Sequence, residues 1–205
     1  MGGYMIVIGL TGGIASGKST ISAALAARGA VVVDADKVGH DVYRPGSEGW
    51  QAVSAAFGPQ VVATNGEIDR KALGAIVFGD PAQRERLQSI VWPVMKRMMA
   101  RLLDEFRAAG QAVVVIEAAV LIEAAWLDLV DQVWVVTVPV AVAEARLIAR
   151  NGLTAEQAQA RISAQLSNDE RVRHATAVID NSGSMAEATA RVATLWDEFV
   201  ATSQR

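Results

Sequence analysis

The sequence predicts an α/β fold, a parallel five-stranded sheet flanked by helices. Three observations point there. Short β-branched runs alternate with stretches of helical period. The runs are almost continuously apolar, as strands covered by helices on both faces require. Between the first run and the first helical stretch, Gly12-Gly13-Ile14-Ala15-Ser16-Gly17-Lys18-Ser19 fits G-x-x-x-x-G-K-[ST], so the architecture is of the P-loop NTPase type.

Met1 to Leu10 lacks a basic leading region and runs straight into the glycine loop, so it reads as a first strand from Ile6 rather than a signal peptide. In the loop, glycines let successive backbone N–H groups turn onto a β-phosphate, Lys18 reaches the β/γ oxygens, and the Ser19 hydroxyl has the register of a Mg²⁺ ligand. Thr20 extends the hydroxyl pair, and the helix that follows adds its N-terminal positive end. ATP-binding candidates are therefore Gly12, Gly13, Ile14, Ala15, Ser16, Gly17, Lys18, Ser19 and Thr20. That helix spans Lys18 to Arg28, ends at Gly29 and leads into a second strand, Val31 to Asp34.

Between Pro45 and Gly110 strands nearly vanish. Thr64-Asn65-Gly66-Glu67 is a turn or hairpin signal, Asp69 is placed to cap a helix, and Asp80-Pro81 opens another with proline at its first position. Trp92-Pro93 is expected to break or restart that helix, which otherwise continues to Arg107. Ala112 to Glu117 and Gln132 to Thr137 are the third and fourth strands, and a helix begins near Pro139. Asn151-Gly152 is a turn, Thr154 to Gln157 fits a capping box, and arginines fall at 146, 150, 161, 171 and 173, the mark of a polar, arginine-rich helix pair acting as a lid. About half of these arginines would be explained by a solvated helix face alone. Ala177 to Asp180 is the fifth strand. The expected organisation is one P-loop kinase domain, with a core at 1–45, 111–142 and 174–205, a helical acceptor-substrate region at 46–110 and a lid region at 143–173.

Composition excludes several classes. With 205 residues the chain buries one sizeable core. A net charge of −3 offers no global basic field for nucleic acid. With no cysteine, disulfides, thiolate metal sites and cysteine nucleophiles are excluded together. Charged residues such as Glu117 and Glu123 interrupt the apolar runs, so no membrane span is expected and a cytoplasmic enzyme is the reading.

Phosphoryl transfer needs a positioned acceptor, a metal and positive charge where the transition state gathers negative charge. Asp34 and Asp36 stand just past the second strand, on the face where open α/β sheets bind ligands. In extended chain they would point the same way. Asp36 is the candidate base for a substrate hydroxyl proton, and Asp34 its orienting or metal-linked neighbour. The alternative is that Asp36 only caps a helix starting near Lys37. Glu117 ends a buried strand, where P-loop proteins keep an acid that holds Mg²⁺ through water. Glu123 reads as solvated. Arg146 and Arg150, at i and i+4, project from one helix face, and Arg146 is the candidate for an arginine-finger role. His40 and His174 lack the partners of a triad or metal site.

Assembled, these residues resemble the dephospho-CoA kinase family. Leu10-Thr11-Gly12-Gly13-Ile14 with Ser16-Gly17-Lys18-Ser19-Thr20 is similar to its P-loop, and Val33-Asp34-Ala35-Asp36 to its D-x-D motif. Pro45-Gly46, Phe57-Gly58, Asp69 to Leu73, Val77-Phe78 and Val178-Ile179-Asp180-Asn181 follow in family order over nearly the whole chain. The resemblance implies ATP- and Mg²⁺-dependent phosphorylation of the ribose 3′-hydroxyl of dephospho-CoA, with ATP and dephospho-CoA as the small-molecule partners. It makes Asp36 the acceptor base, Lys18 and Ser19 the phosphate and metal groups, and Arg146 a lid residue. It also puts Arg150 and Asn181 on the ATP side and His40, with Asp34, Asp36 and Glu117, on the acceptor side.

The chain departs from the family pattern at several points. Ala15 replaces a usual glycine and must avoid positive φ or accept strain. Gly39-His40 stands where many bacterial members have Ala-Arg, Trp92-Pro93 where His-Pro is common, and Glu117 to Leu121 replaces a proline-containing leucine motif. These features are closer to the kinase half of the animal bifunctional CoA synthase. The competing readings are a shikimate- or gluconate-type kinase and a nucleotide-binding module without catalysis. Against a shikimate kinase, Glu117 to Leu121 holds no glycine triplet; against an inert module, Lys18, Ser19, Asp36 and Arg146 are all present. A GTPase reading of Asp36-Lys37-Val38-Gly39 fails for want of an N-K-x-D motif.

Overall fold

Five strands, β1 (Ile6–Gly12), β2 (Val31–Asp34), β3 (Val113–Glu117), β4 (Gln132–Thr137) and β5 (Ala177–Asp180), form one sheet in the order β2-β3-β1-β4-β5 in the computed structural model, which describes residues 5–203. Residues 1–4 and 204–205, the outer ends of the expected core, lie outside the described residues. The helices are α1 (Lys18–Ala26), α2 (Ala35–Asp41), α3 (Glu48–Phe57), α4 (Arg70–Phe78), α5 (Pro81–Ala108), α6 (Val140–Asn151), α7 (Ala155–Ser163), α8 (Asn168–Val172) and α9 (Met185–Ser203). All five expected strands are present, with β1 running on to Gly12. Contacts divide the chain into two compact units, residues 1–33 with 106–205, and residues 34–105.

In the first unit β1 is central and parallel to both neighbours, with Ile6 opposite Val113, Leu10 opposite Glu117 and Gly12 opposite Val136. Every residue of β1 is buried, which explains its apolar run from Ile6 to Leu10. On one face, Ile8, Leu10, Val115, Trp134 and Ile179 pack with Ile21 and Leu25 of α1 and Val192 and Leu195 of α9. Trp134 meets the Phe199 ring edge-on at a centroid distance of 6.4 Å. Gly9 is required for packing: a Cβ there would lie 2.6 Å from Leu121 Cδ2.

The helix expected to run to Arg28 ends at Ala26, because Arg28 and Gly29 donate to Leu25 and Ala26 in a tightened final turn, with Gly29 at φ +99°. Between α6 and α7, Gly152 takes φ +63° and Thr154 and Gln157 form the expected reciprocal capping box.

In the second unit Ser47 and Asp69 cap α3 and α4, and Asp80 Oδ1 accepts from Ala82 and Gln83 at the start of α5. The Thr64 to Glu67 turn is closed by an antiparallel bridge between Val62 and Ile68, and the Trp50 indole N–H donates to the Gly66 carbonyl. Pro93 does not break the helix: α5 continues through it. Val91, Val94, Met95, Met99 and Leu103 form a buried stripe that outweighs the local preference, and both Pro93 and Ser89, whose carbonyl loses its helical donor, are on the exposed side. No helix among the described residues is long and apolar enough to cross a membrane.

Candidate active site

The loop leaves β1 at Gly12 and enters α1 at Lys18. A Cβ on Gly12 would lie 2.4 Å from the Val136 carbonyl oxygen and 2.8 Å from Ser16 Oγ, so the turn closes only with glycine. Gly17, at φ +88°, is the N-terminal cap residue of α1. Ala15 also takes a left-handed φ, +59°, and so accepts the strain its glycine-to-alanine departure implies, about 1–2 kcal/mol. The Lys18 ammonium donates to the Gly12 and Gly13 carbonyls at 2.9 and 3.3 Å, across the mouth of the loop.

Three consecutive loop residues are held by side chains from distant parts of the first unit. Gln165 Oε1 accepts the Ile14 N–H at 2.8 Å, Arg146 Nη1 reaches the Ala15 carbonyl at 3.5 Å, and Asn181 Nδ2 donates to the Ser16 carbonyl at 2.8 Å. Arg146 Nη2 also donates to the Asn181 carbonyl at 2.8 Å. Arg146, Arg150 and Asn181 then line, with Ala15, Gly17 and Thr20, one cleft of about 540 Å³. The structure thus brings the loop together with Arg146, Arg150 and Asn181, the residues expected on the ATP side.

Glu117 leaves the end of β3 and accepts the Ser22 hydroxyl at 2.6 Å; the same hydroxyl oxygen is 3.2 Å from the Ser19 carbonyl. The strand-end carboxylate therefore sits beside the first turns of α1. A hydroxyl and a carboxylate are the hard oxygen donors Mg²⁺ takes, so Ser19 and Glu117 fit that ion. Ser22 escapes sequence reading, because a serine inside a helix carries no signal of a partner brought in by another strand.

In the second unit the extended spacing expected for Asp34 and Asp36 does not hold. Asp34, not Asp36, caps α2: its Oδ1 accepts the N–H groups of Asp36 and Lys37 at 3.0 and 3.3 Å, and its Oδ2 is 3.5 Å from Lys37 Nζ. An aspartate at the cap outcompetes continued strand. Asp36 consequently stands exposed in the first helical turn. His40 is exposed in the last turn, its carbonyl accepting Arg70 Nη2 at 3.4 Å. The Arg70 guanidinium lies 5.4 Å from the Tyr43 ring centroid; burial pushes the Tyr43 hydroxyl pKa up and the Arg70 charge opposes it.

Arg161 and Arg173 are exposed, as a solvated face predicts, and His174 is exposed as well. Glu123, expected to be solvated, is not. Arg171 is 1% exposed, and its Nη2 donates to Glu123 Oε1 at 3.0 Å, so Glu123 is the counter-charge of a buried arginine rather than a solvated carboxylate. Burial lowers the Arg171 pKa while Glu123 opposes the shift. A buried cation without a partner costs several kcal/mol, which is why the pair forms.

A glycine loop with a lysine at its mouth and a hydroxyl at the helix start is chemistry for a polyphosphate. Set on this strand order, it defines the class as P-loop phosphotransferase.

The sequence model described as dephospho-CoA kinase matches residues 6–187. A dephospho-CoA kinase of Symbiobacterium thermophilum is 46% identical over 94% of this chain and 80% of its own length. That of Geobacter sulfurreducens is 43% identical, covering 94% of this chain and 98% of its own. Among solved structures, a Thermus thermophilus protein is 31% identical with a TM-score of 0.78, covering 95% of this chain and 98% of that one. A shikimate kinase of Acinetobacter baumannii, at 14% identity and a TM-score of 0.55, covers 98% of this chain and 96% of its own and shares the fold alone. The chain belongs to the dephospho-CoA kinase family.

Proposed function

We propose that this chain transfers the γ-phosphoryl group of ATP to the ribose 3′-hydroxyl of dephospho-CoA, giving CoA and ADP in the last step of coenzyme A biosynthesis. The observation that carries the reading is the family match across residues 6–187, which includes an intact phosphate loop.

In the reaction the 3′-oxygen forms a bond to the γ-phosphorus, the bond to the β,γ-bridging oxygen breaks with its electron pair leaving on ADP, and the hydroxyl proton passes to Asp36. Exposure of Asp36 in the first turn of α2, with its own carboxylate not used in capping, supports that role. The loop from Gly12 to Thr20, with the start of α1, receives the phosphates, and Lys18 reaches the β/γ oxygens. Arg146 supplies charge where the transition state is most negative, and loss of such an arginine costs about 10³-fold in rate. The cleft bearing Arg150 and Asn181 receives the nucleoside. Ser19 would hold Mg²⁺, with Glu117 or Asp34 acting through water, and the ion would neutralise charge on the β- and γ-phosphates. We assign the acceptor to residues 46–110, with His40 near it, and lid function to 143–173, within one kinase domain that works in the cytoplasm.

Asp36→Asn tests the assignment. The variant should bind ATP with affinity close to that of the natural chain and lose transfer by about 10²-fold or more, the usual worth of a general base. Turnover like that of the natural chain would remove Asp36 from the role.

A further inference from the structure

Of the three side chains that hold the phosphate loop, Arg146 and Asn181 already belong to the nucleotide site. The third has no role in the reading above. Gln165 lies in the turn between α7 and α8, and its Oε1 accepts the Ile14 N–H at 2.8 Å. A glutamine in a turn has free rotamers and would not hold such a bond on its own.

Arg171 provides the support. Its Nη1 donates to the carbonyl of Leu166, the residue next to Gln165, and its Nη2 donates to Glu123 Oε1 at 3.0 Å. Glu123 lies in the segment after β3, so the arm is anchored outside the turn that carries Gln165. Both ends of the arm converge on the loop: Arg171 Nη1 and Gln165 Oε1 each lie 3.9 Å from the position a Cβ on Gly13 would occupy. Gly13, Ile14, Gln165, Leu166 and Arg171 line one continuous cavity of about 550 Å³, separate in its lining from the cleft that holds Arg146 and Asn181. The loop is thus gripped from two sides around Ala15, whose left-handed φ of +59° is a conformation alanine leaves when nothing holds it.

We propose that Gln165 is a positioning residue for the nucleotide: fixed by the Glu123–Arg171 pair, it holds Ile14, and through it the strained Ala15 turn, in the shape that receives the phosphates. The inference rests on the nucleotide reading of the loop. It predicts that Gln165 and Arg171 act as one unit, and that their effect falls on nucleotide rather than acceptor.

The test uses the full chain with ATP and ADP affinities measured by calorimetry. Gln165→Met keeps the side-chain length and removes the acceptor oxygen; both affinities should fall about tenfold, the worth of one hydrogen bond in a preorganised site, with KM for dephospho-CoA unchanged. Arg171→Lys keeps a charge opposite Glu123 and loses the Leu166 bond; it should give the same loss, and the double variant no more than the worse single one. Ala15→Gly in the Gln165→Met background should recover affinity, since glycine holds the turn without strain, and a merely structural latch would not respond this way. Unchanged affinity in a folded Gln165→Met, or losses that add in the double variant, would overturn the proposal. A natural chain that binds ATP but does not phosphorylate dephospho-CoA would sink the proposed reaction and leave the affinity comparison intact. One that binds no nucleotide would sink both.

Discussion

Asn181 Nδ2 occupies the space where Gly17 would carry a side chain: a Cβ on Gly17 would lie 2.1 Å from that nitrogen. The same amide donates to the Ser16 carbonyl at 2.8 Å, so the residue after β5 and the phosphate loop are joined at a point with no room for a methyl group. Gly17→Ala must displace Asn181 and also hold φ near +88°. Together these should cost more than about 2 kcal/mol, roughly thirtyfold in ATP affinity. Calorimetric titration with ATP checks this, and Asn181→Ala should not restore the loss fully because the backbone strain remains.

Ala15 offers the opposite case. Its left-handed φ costs about 1–2 kcal/mol, and glycine there would give back part of that through unfolded-state entropy. Ala15→Gly in the natural chain should therefore raise unfolding free energy by about 0.5–1 kcal/mol in a denaturant titration. A loss of stability would mean the strain is not stored at this residue.

Ser22 is the partner of Glu117 and follows Ser19 by one turn of α1. Ser22→Ala leaves Glu117 without its 2.6 Å donor, and a hydrogen bond to a charged group is worth about 1.5–3 kcal/mol. If Glu117 steadies the metal, the Mg²⁺ concentration for half-maximal turnover should rise about tenfold, while ADP binding without metal stays unchanged. Equal loss with and without metal would assign the pair to folding instead.

Acid should loosen the 143–173 segment at the cap of α8. Hydrogen bonds from the Ser167 side chain and backbone hold the Glu170 carboxyl below its ordinary 4.5. Because the folded value is depressed, this stabilisation is fully present above pH 4.5 and is lost as pH falls through the lower folded value. Ser167→Ala should move the Glu170 titration back up towards 4.5, read by NMR of the side-chain carbon.

The sheet was legible because β1, β3 and β4 are buried on both faces and write their position as nearly continuous apolar runs rich in β-branched residues. The loop was legible because its glycines are dictated locally. Pro93 misled, since a single proline argues for a break while the buried stripe from Val91 to Leu103 speaks over several turns. Asp34 closes β2 rather than following it, and the geometry of Asp34 and Asp36 depended on which one caps α2. Ser22, Gln165 and the Arg171–Glu123 pair carried no sequence signal, because each acquires its meaning from a partner between 48 and 151 residues away. Charge alone could not separate Arg171, which is buried, from Arg161 and Arg173, which are solvated.

The most direct measurement is ADP release by the full chain with MgATP and dephospho-CoA, beside shikimate, gluconate and no-acceptor controls, with the product weighed by mass spectrometry. Release only with dephospho-CoA, with a product heavier by one phosphate, is the expected result. Release with another acceptor, or none despite tight ATP binding, would contradict it.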